Sequence, residues 1–355
     1  LIEDSPLHIT SANSVNVAEN ADPELIVYAS ELSLSDETAL YSLSGEDAEF
    51  FQVDSSTGAV KLLSSADYET KSAYNITIIA SAGNKTASKD VSVLVTNLND
   101  NTPIIVSGAT ASIYEKKDIS TVIYDATATD ADGDTLTYSV SGTDSNEVEI
   151  NSQTGKITLL QSANYNTKAS YTFTVEASDG IFSDTQEITV NVLNINDAPA
   201  ITSSSTASVS ENISTDLVAY QTAASDSDGD TLTYTISGDD AESFTIDANN
   251  GTVKFVASPN FETKNTYAFD ITVSDGELDY VKSITLTVSD VNEAPTISSG
   301  STGHIAENAA ITTTIYEIAA SDVDGDALSY SLTGTDASAF EVDQSTGKIT
   351  LKESA

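Results

Sequence analysis

Three pentapeptides place carboxylates where they can do chemistry: Asp130-Ala131-Asp132-Gly133-Asp134, Asp226-Ser227-Asp228-Gly229-Asp230 and Asp322-Val323-Asp324-Gly325-Asp326. Alternate carboxylates on a tight glycine turn can converge on a hard cation such as calcium, which takes ~6–8 oxygen ligands. The same five residues can also form a solvated Asp-Gly turn with no ion. An EF-hand needs a glutamate at the twelfth loop position, and counting from each first Asp reaches Ser141, Ser237 and Thr333, so that loop is excluded. Upstream of each turn lies a short oxygen-rich segment. These are Asn97-Leu98-Asn99-Asp100-Asn101-Thr102-Pro103, Asn194-Ile195-Asn196-Asp197-Ala198-Pro199 and Asp290-Val291-Asn292-Glu293-Ala294-Pro295.

The elements that must position these groups repeat along the chain. Glu19, Glu115, Glu211 and Glu307 each end a short alternating apolar stretch and follow one another at intervals of 96 residues, as do Pro103, Pro199 and Pro295. That period is too long for a solenoid and suits a chain of β-sandwiches. Within each unit a tyrosine strand ends in glycine, at Gly45, Gly142, Gly238 and Gly334. A strand at Phe51, Val148, Phe244 or Phe340 follows, then a glycine turn at Gly58, Gly155, Gly251 or Gly347. Later strands alternate plainly, as in Tyr171-Thr172-Phe173-Thr174-Val175, so one face is buried and one is wet. About seven strands per unit and almost no helix are expected.

Composition narrows the function. The 355 residues carry 13 Lys+Arg against 55 Asp+Glu, a formal charge of −42, which excludes a phosphate-seeking, nucleic-acid-binding surface and makes cations the natural partners. Cysteine is absent, so disulfides and thiolate metal sites are excluded. No apolar run approaches ~18 residues, so no membrane span is expected in this fragment. The start at Leu1-Ile2-Glu3 and the connector-like Glu3-Asp4-Ser5-Pro6 read as part of something longer. The 2 histidines, His8 and His304, fall on presumed first strands, and the paired carboxylates recur at every junction, so no enzyme is expected.

Taken together, the base glutamate in Ala18-Glu19-Asn20, Asp67-Tyr68-Glu69, the connectors, the Asp-x-Asp of the following unit and the later Asp179-Gly180 and Asp275-Gly276 resemble the calcium-binding repeats of cadherins. The resemblance implies an all-β fold of tandem Greek-key, Ig-like sandwiches in a linear array, with repeats at 1–100, 101–197, 198–293 and an incomplete 294–355. It also implies calcium ligands. The first junction would gather Glu19, Asp67, Glu69, Asn99, Asp100, Asn101, Asp130, Asp132 and Asp179, enough charge for up to about three ions. The second offers Glu115, Asn196, Asp197, Asp226, Asp228 and Asp275, but Asn164 and Asn166 stand where two acids belong, so fewer ions are expected. The third offers Glu211, Glu262, Asp290, Asn292, Glu293, Asp322 and Asp324, with Asn260 replacing an acid. Repeat 1 has Ser33-Leu34-Ser35-Asp36-Glu37 and Ala82 in place of the acidic turn and the later Asp, so its upstream face should lack a full cluster. Asp134 is expected to orient its turn and not to reach an ion.

Two charges ~4 Å apart repel by roughly 4 kcal/mol at an effective dielectric near 20, so five to seven clustered carboxylates would need cations. The expected function is an extracellular, cell-surface adhesion array whose linkers stiffen on binding Ca2+, in a bacterial adhesin or similar repeat protein. The alternative is a self-assembling filament or surface-layer subunit, or an adhesive module for a carbohydrate or surface protein. A like chain is a further partner in either reading.

Overall fold

The computed structural model describes residues 6–33 and 38–354, which fall into two compact units, 1–195 and 196–355. Among them the regular secondary structure is almost entirely strand, with four three-residue 3-10 turns as the only helical elements. Tandem β-sandwiches are formed.

In the first unit, a four-stranded sheet runs in the order Ser14–Ala18, Lys85–Thr96, Ala73–Ala82, Leu40–Ser44, and faces a three-stranded sheet of Ile26–Ala29, Ala59–Leu62 and Phe51–Val53. The arrangement recurs as Thr110–Tyr114, Ser183–Leu193, Ser170–Ser178, Thr137–Ser141 against Val122–Asp125, Lys156–Leu159 and Val148–Ile150. The second unit repeats it with Thr206–Ser210, Asp279–Ser289, Thr266–Ser274 and Thr233–Ser237. Alternation sets the inner face. In Ala73–Ala82 every second side chain, from Tyr74 to Ala82, is buried, while Asn75 stays exposed. Three hydrophobic clusters result, centred on Ile76 and Ile78, on Phe173 and Ile157, and on Phe269 and Ile271. Farther along, the sheet of Tyr316–Glu317, Lys348–Leu351 and Phe340–Val342 has no four-stranded partner among the described residues, and Phe340 is only half-buried.

Two pairings aim the functional residues. The first strand of each sandwich runs parallel to the last, with Ala18 opposite Thr96, Tyr114 opposite Leu193 and Ser210 opposite Ser289. Parallel strands finish at the same end of a sheet. Glu19, Glu115 and Glu211 therefore emerge where the connectors begin, their amides bonded to Thr96, Leu193 and Ser289 oxygens at 3.2, 3.0 and 3.0 Å. Ala128–Thr129 pairs with Ile104–Ile105, Ala224–Ser225 with Ala200–Ile201 and Ala320–Ser321 with Thr296–Ile297, which ties each acidic turn to its connector.

His8 and His304, expected on first strands, lie on no strand; both are exposed. The expectations for residues 3–5 and 34–37 lie outside the described residues.

Candidate metal centre

Glu19, Glu115 and Glu211 are buried to within 2% of full enclosure, unusual for carboxylates. Each is held by two backbone N–H donors. Glu19 accepts from Tyr68 at 2.8 Å and Leu98 at 2.5 Å, Glu115 from Tyr165 at 2.8 Å and Ile195 at 2.9 Å, and Glu211 from Phe261 and Val291, both at 2.9 Å. One carboxylate thus fastens the loop after the Ala59–Leu62 type of strand to the connector. Glu307, at the same sequence spacing, is exposed.

In the first unit, oxygens of Glu19, Glu69, Asp100 and Asp132 all lie within 4.8 Å of one another. Asp132 Oδ2 accepts the Asp100 and Asn101 amides at 3.1 and 2.8 Å, its Oδ1 accepts Asn101 Nδ2 at 2.9 Å, and Asn97 Nδ2 donates to its backbone oxygen at 2.9 Å. Hydrogen bonds, first from the Asn101 side chain and then from these amides, hold the Asp132 carboxyl below its usual range. Glu69 goes the other way, pushed up by desolvation and by the charges of Glu19 and Asp132. Gly133, at φ +80°, turns the backbone so that Asp130, Asp132 and Asp134 each bring one oxygen within 4.8 Å of the others.

Several oxygens here have nothing to bond. Asp130 Oδ2, Asp179 Oδ2 and Asn99 Oδ1 are enclosed yet accept no hydrogen bond. Asp130 spends Oδ1 on the Asp134 amide at 3.2 Å, and Asp179 spends Oδ1 on the Ile181 and Phe182 amides at 2.7 Å each. Enclosed acceptors without protein donors call for a cation or a bound water, and beside this many carboxylates a cation also offsets the charge. Asp67 differs: its two oxygens accept the Thr70 amide and hydroxyl, each at 3.0 Å, so it braces its own loop.

The second unit contains a close relative of this cluster. Oxygens of Glu211, Glu262, Glu293 and Asp324 lie within 4.8 Å of one another. Asp324 Oδ2 accepts the Glu293 amide at 2.7 Å, and Asp322 Oδ1 accepts the Asp324 amide at 3.1 Å. Glu293 Oε2 and Asp324 Oδ1 are enclosed without partners. Desolvation and then the charges of Asp324, Glu262 and Glu211 raise Asp290. Asn292 turns its amide onto the Glu293 backbone oxygen at 3.1 Å. Earlier in this unit, Asp226, Asp228 and Asp230 gather around their own turn, with Asp226 Oδ2 enclosed and unbonded. Asp228 Oδ2 accepts the Asp197 amide at 2.7 Å, and Asn196 Nδ2 donates to Asp275 at 3.1 Å.

At the Glu115 end of the first unit the donor set does not fit a divalent ion in the same way. Asn164 Oδ1 accepts the Thr167 amide at 2.9 Å, as Asp67 does with Thr70, and Glu115 is absent from the carboxylate groups assembled among the described residues. Four positions escaped the sequence reading. The residue after each base glutamate is left-handed, with φ 55° at Asn20, 61° at Lys116, 58° at Asn212 and 65° at Asn308. Asn20 donates to Asp100 and Asn212 to Glu293, whereas Lys116 donates to the Ile195 oxygen at 3.3 Å. The Asn, Lys, Asn, Asn series at a 96-residue interval was the available signal.

Sandwiches with a parallel first strand, a buried glutamate and an acid-lined connector define a class: the chain is built of cadherin-like tandem repeats. Residues 109–193 match the cadherin domain family and 196–290 match the bacterial Ig domain family. Human Protocadherin Fat 1 is 28% identical over 333 residues, covering 87% of this chain and 7% of that protein. The Drosophila melanogaster protocadherin-like wing polarity protein stan is 29% identical over 352 residues, covering 91% and 10%. Extracellular cadherin domains 1–5 of protocadherin gamma B2 superpose with a TM-score of 0.68 at 21% identity, over 99% of this chain and 75% of that one, a likeness of fold. The chain spans a tenth or less of the length of the curated relatives it matches. No helix among the described residues is long and apolar enough to cross a membrane.

Proposed function

We propose that this chain is a segment of an extracellular, non-enzymatic adhesion array in which calcium binds the connectors and stiffens them. The observation that carries the reading is the set of enclosed, donor-less oxygens on Asp130, Asp179, Asn99, Glu293 and Asp324 beside clusters already crowded with charge. In this reading the repeats span 1–100, 101–197, 198–293 and 294–355. Glu19, Glu69, Asn99, Asp100, Asp130, Asp132 and Asp179 hold ions in the first unit, and Glu211, Glu262, Asp290, Glu293, Asp322 and Asp324 in the second. Asp67 and Asn292 take part less directly, since their polar atoms already serve neighbouring groups.

Bound calcium supplies positive charge shared between residues of neighbouring repeats. This chain's own residues do the rest. Glu19 fixes the connector to the preceding sandwich, Asp132 collects the Asp100 and Asn101 amides from the following one, and without cations their carboxylates repel across the joint. Extracellular calcium modules work at ~10⁻⁴–10⁻³ M, a range that keeps such joints filled outside a cell. The bacterial Ig domain match on 196–290 supports a bacterial surface protein. A like chain or a surface ligand is the partner such an array would meet.

Calorimetric titration of calcium into the intact chain tests this. Binding in that range is expected, and Asp132→Ala should remove about one or two ions while leaving the circular dichroism of the sandwiches unchanged. Titrations of wild type and variant that coincide would contradict the assignment, and unfolding of the variant would make Asp132 an internal structural residue.

A further inference from the structure

The base glutamates Glu19, Glu115 and Glu211 have one geometry, yet their surroundings differ in charge in a coordinated way. After Glu19 and Glu211 a left-handed asparagine offers a neutral amide to a connector carboxylate, Asp100 or Glu293. After Glu115 the left-handed residue is Lys116, and its ammonium reaches the backbone oxygen of Ile195 at 3.3 Å. Ile195 is the residue whose amide donates to Glu115 at 2.9 Å, so the ammonium lies at the same short stretch of connector that the buried carboxylate grips.

The acids change in step. Where the first repeat has Asp67 and Glu69, the second has Asn164 and Asn166. Glu69 and Glu262 each enter a carboxylate cluster with their base glutamate, and Glu115 enters none among the described residues. The third repeat has Asn260 and Glu262, so the Glu115 end has two acids fewer than the Glu19 end and one fewer than the Glu211 end, and it alone gains a positive charge. A lysine head group is a compact point charge with three donors, and carbonyl and carboxylate oxygens are the ligands it shares with a hard cation.

We propose that Lys116 is a built-in cation that occupies the place of a metal ion, so that the Glu115 end of the first unit is held together by its own ammonium and takes fewer calcium ions than the Glu19 end. This rests on the calcium reading of the Glu19 and Glu211 clusters. The repeat ends are then of two kinds, those whose order follows calcium and one that keeps part of its own order when calcium is removed.

Equilibrium dialysis of calcium against the intact chain and two variants tests it. The triple variant Lys116→Asn, Asn164→Asp, Asn166→Glu should bind about one more ion per chain than wild type. The reverse exchange, Asn20→Lys, should bind about one fewer and decides the matter if the triple variant fails to fold. If wild type binds calcium and neither variant changes the number of ions, the role of Lys116 is overturned while the calcium reading stands. If wild type binds none, both fall.

Discussion

At the scale of single residues, the lysine that follows each 67–70 type of loop holds that loop in position. Lys71 Nζ lies 2.5 Å from Asp47 and 5.3 Å from the centre of the Tyr74 ring, and Lys168 lies 2.5 Å from Asp144 and 4.9 Å from the Tyr171 ring. Lys264 pairs in the same way with Asp240 and the Tyr267 ring. Asp47 is buried, and its second oxygen accepts the Asn75 amide at 2.7 Å. Desolvation pushes the Asp47 carboxyl up, but the Lys71 hydrogen bond, the Asn75 amide and the Lys71 charge outweigh it and leave it below the usual range. Asp144 and Asp240 are lowered as well. A carboxylate lowered by folding stabilises the fold above its unfolded pKa, ~3.9, and that contribution is lost as the pH falls through the folded value. Asp47→Asn is therefore expected to cost about 1–3 kcal/mol at neutral pH and to flatten the loss of stability below about pH 4. Urea midpoints against pH for wild type and variant would show this; two acid limbs running in parallel would contradict it.

At the scale of elements, each sandwich depends on tight turns between strands whose faces are set by alternation. Gly155 closes the turn before Lys156–Leu159 at φ +70°, its oxygen accepts the Ala126 amide at 3.0 Å, and a Cβ there would run into the Ala126 backbone oxygen. Gly155→Ala should destabilise its sandwich by about 2 kcal/mol or more, read as a lower urea midpoint; an unchanged midpoint would contradict the turn geometry. This level was the most legible in the sequence. Period-two alternation in Tyr171-Thr172-Phe173-Thr174-Val175 marks a strand whatever its partner, and the 96-residue interval aligned the base glutamates and acidic turns. Alternation carries no strand direction, so the parallel pairing of Ser14–Ala18 with Lys85–Thr96 was not legible, although it delivers Glu19 to the connector. Spacing alone does not show what else a ligand-spaced residue does: Asp67 keeps the spacing of a ligand and also bonds Thr70. The irregular backbone at His8 and His304 and the exposure of Glu307 depend on packing around them, which a repeat interval does not encode.

At the scale of the whole molecule, a charge of −42 with 13 basic residues leaves most carboxylates without a protein counter-charge, and the unbonded enclosed oxygens concentrate that excess where repeats meet within each unit. Screening by monovalent salt acts over ~8 Å at physiological ionic strength and weakens repulsion between exposed groups, but it does not place a divalent cation on enclosed oxygens. The order of the calcium-type joints is therefore expected to follow a divalent ion and not ionic strength. Small-angle scattering of the intact chain in calcium and in chelator, at matched ionic strength, measures this directly. A larger maximum dimension and a narrower spread of conformations in calcium are predicted; a maximum dimension that calcium leaves unchanged would contradict the account.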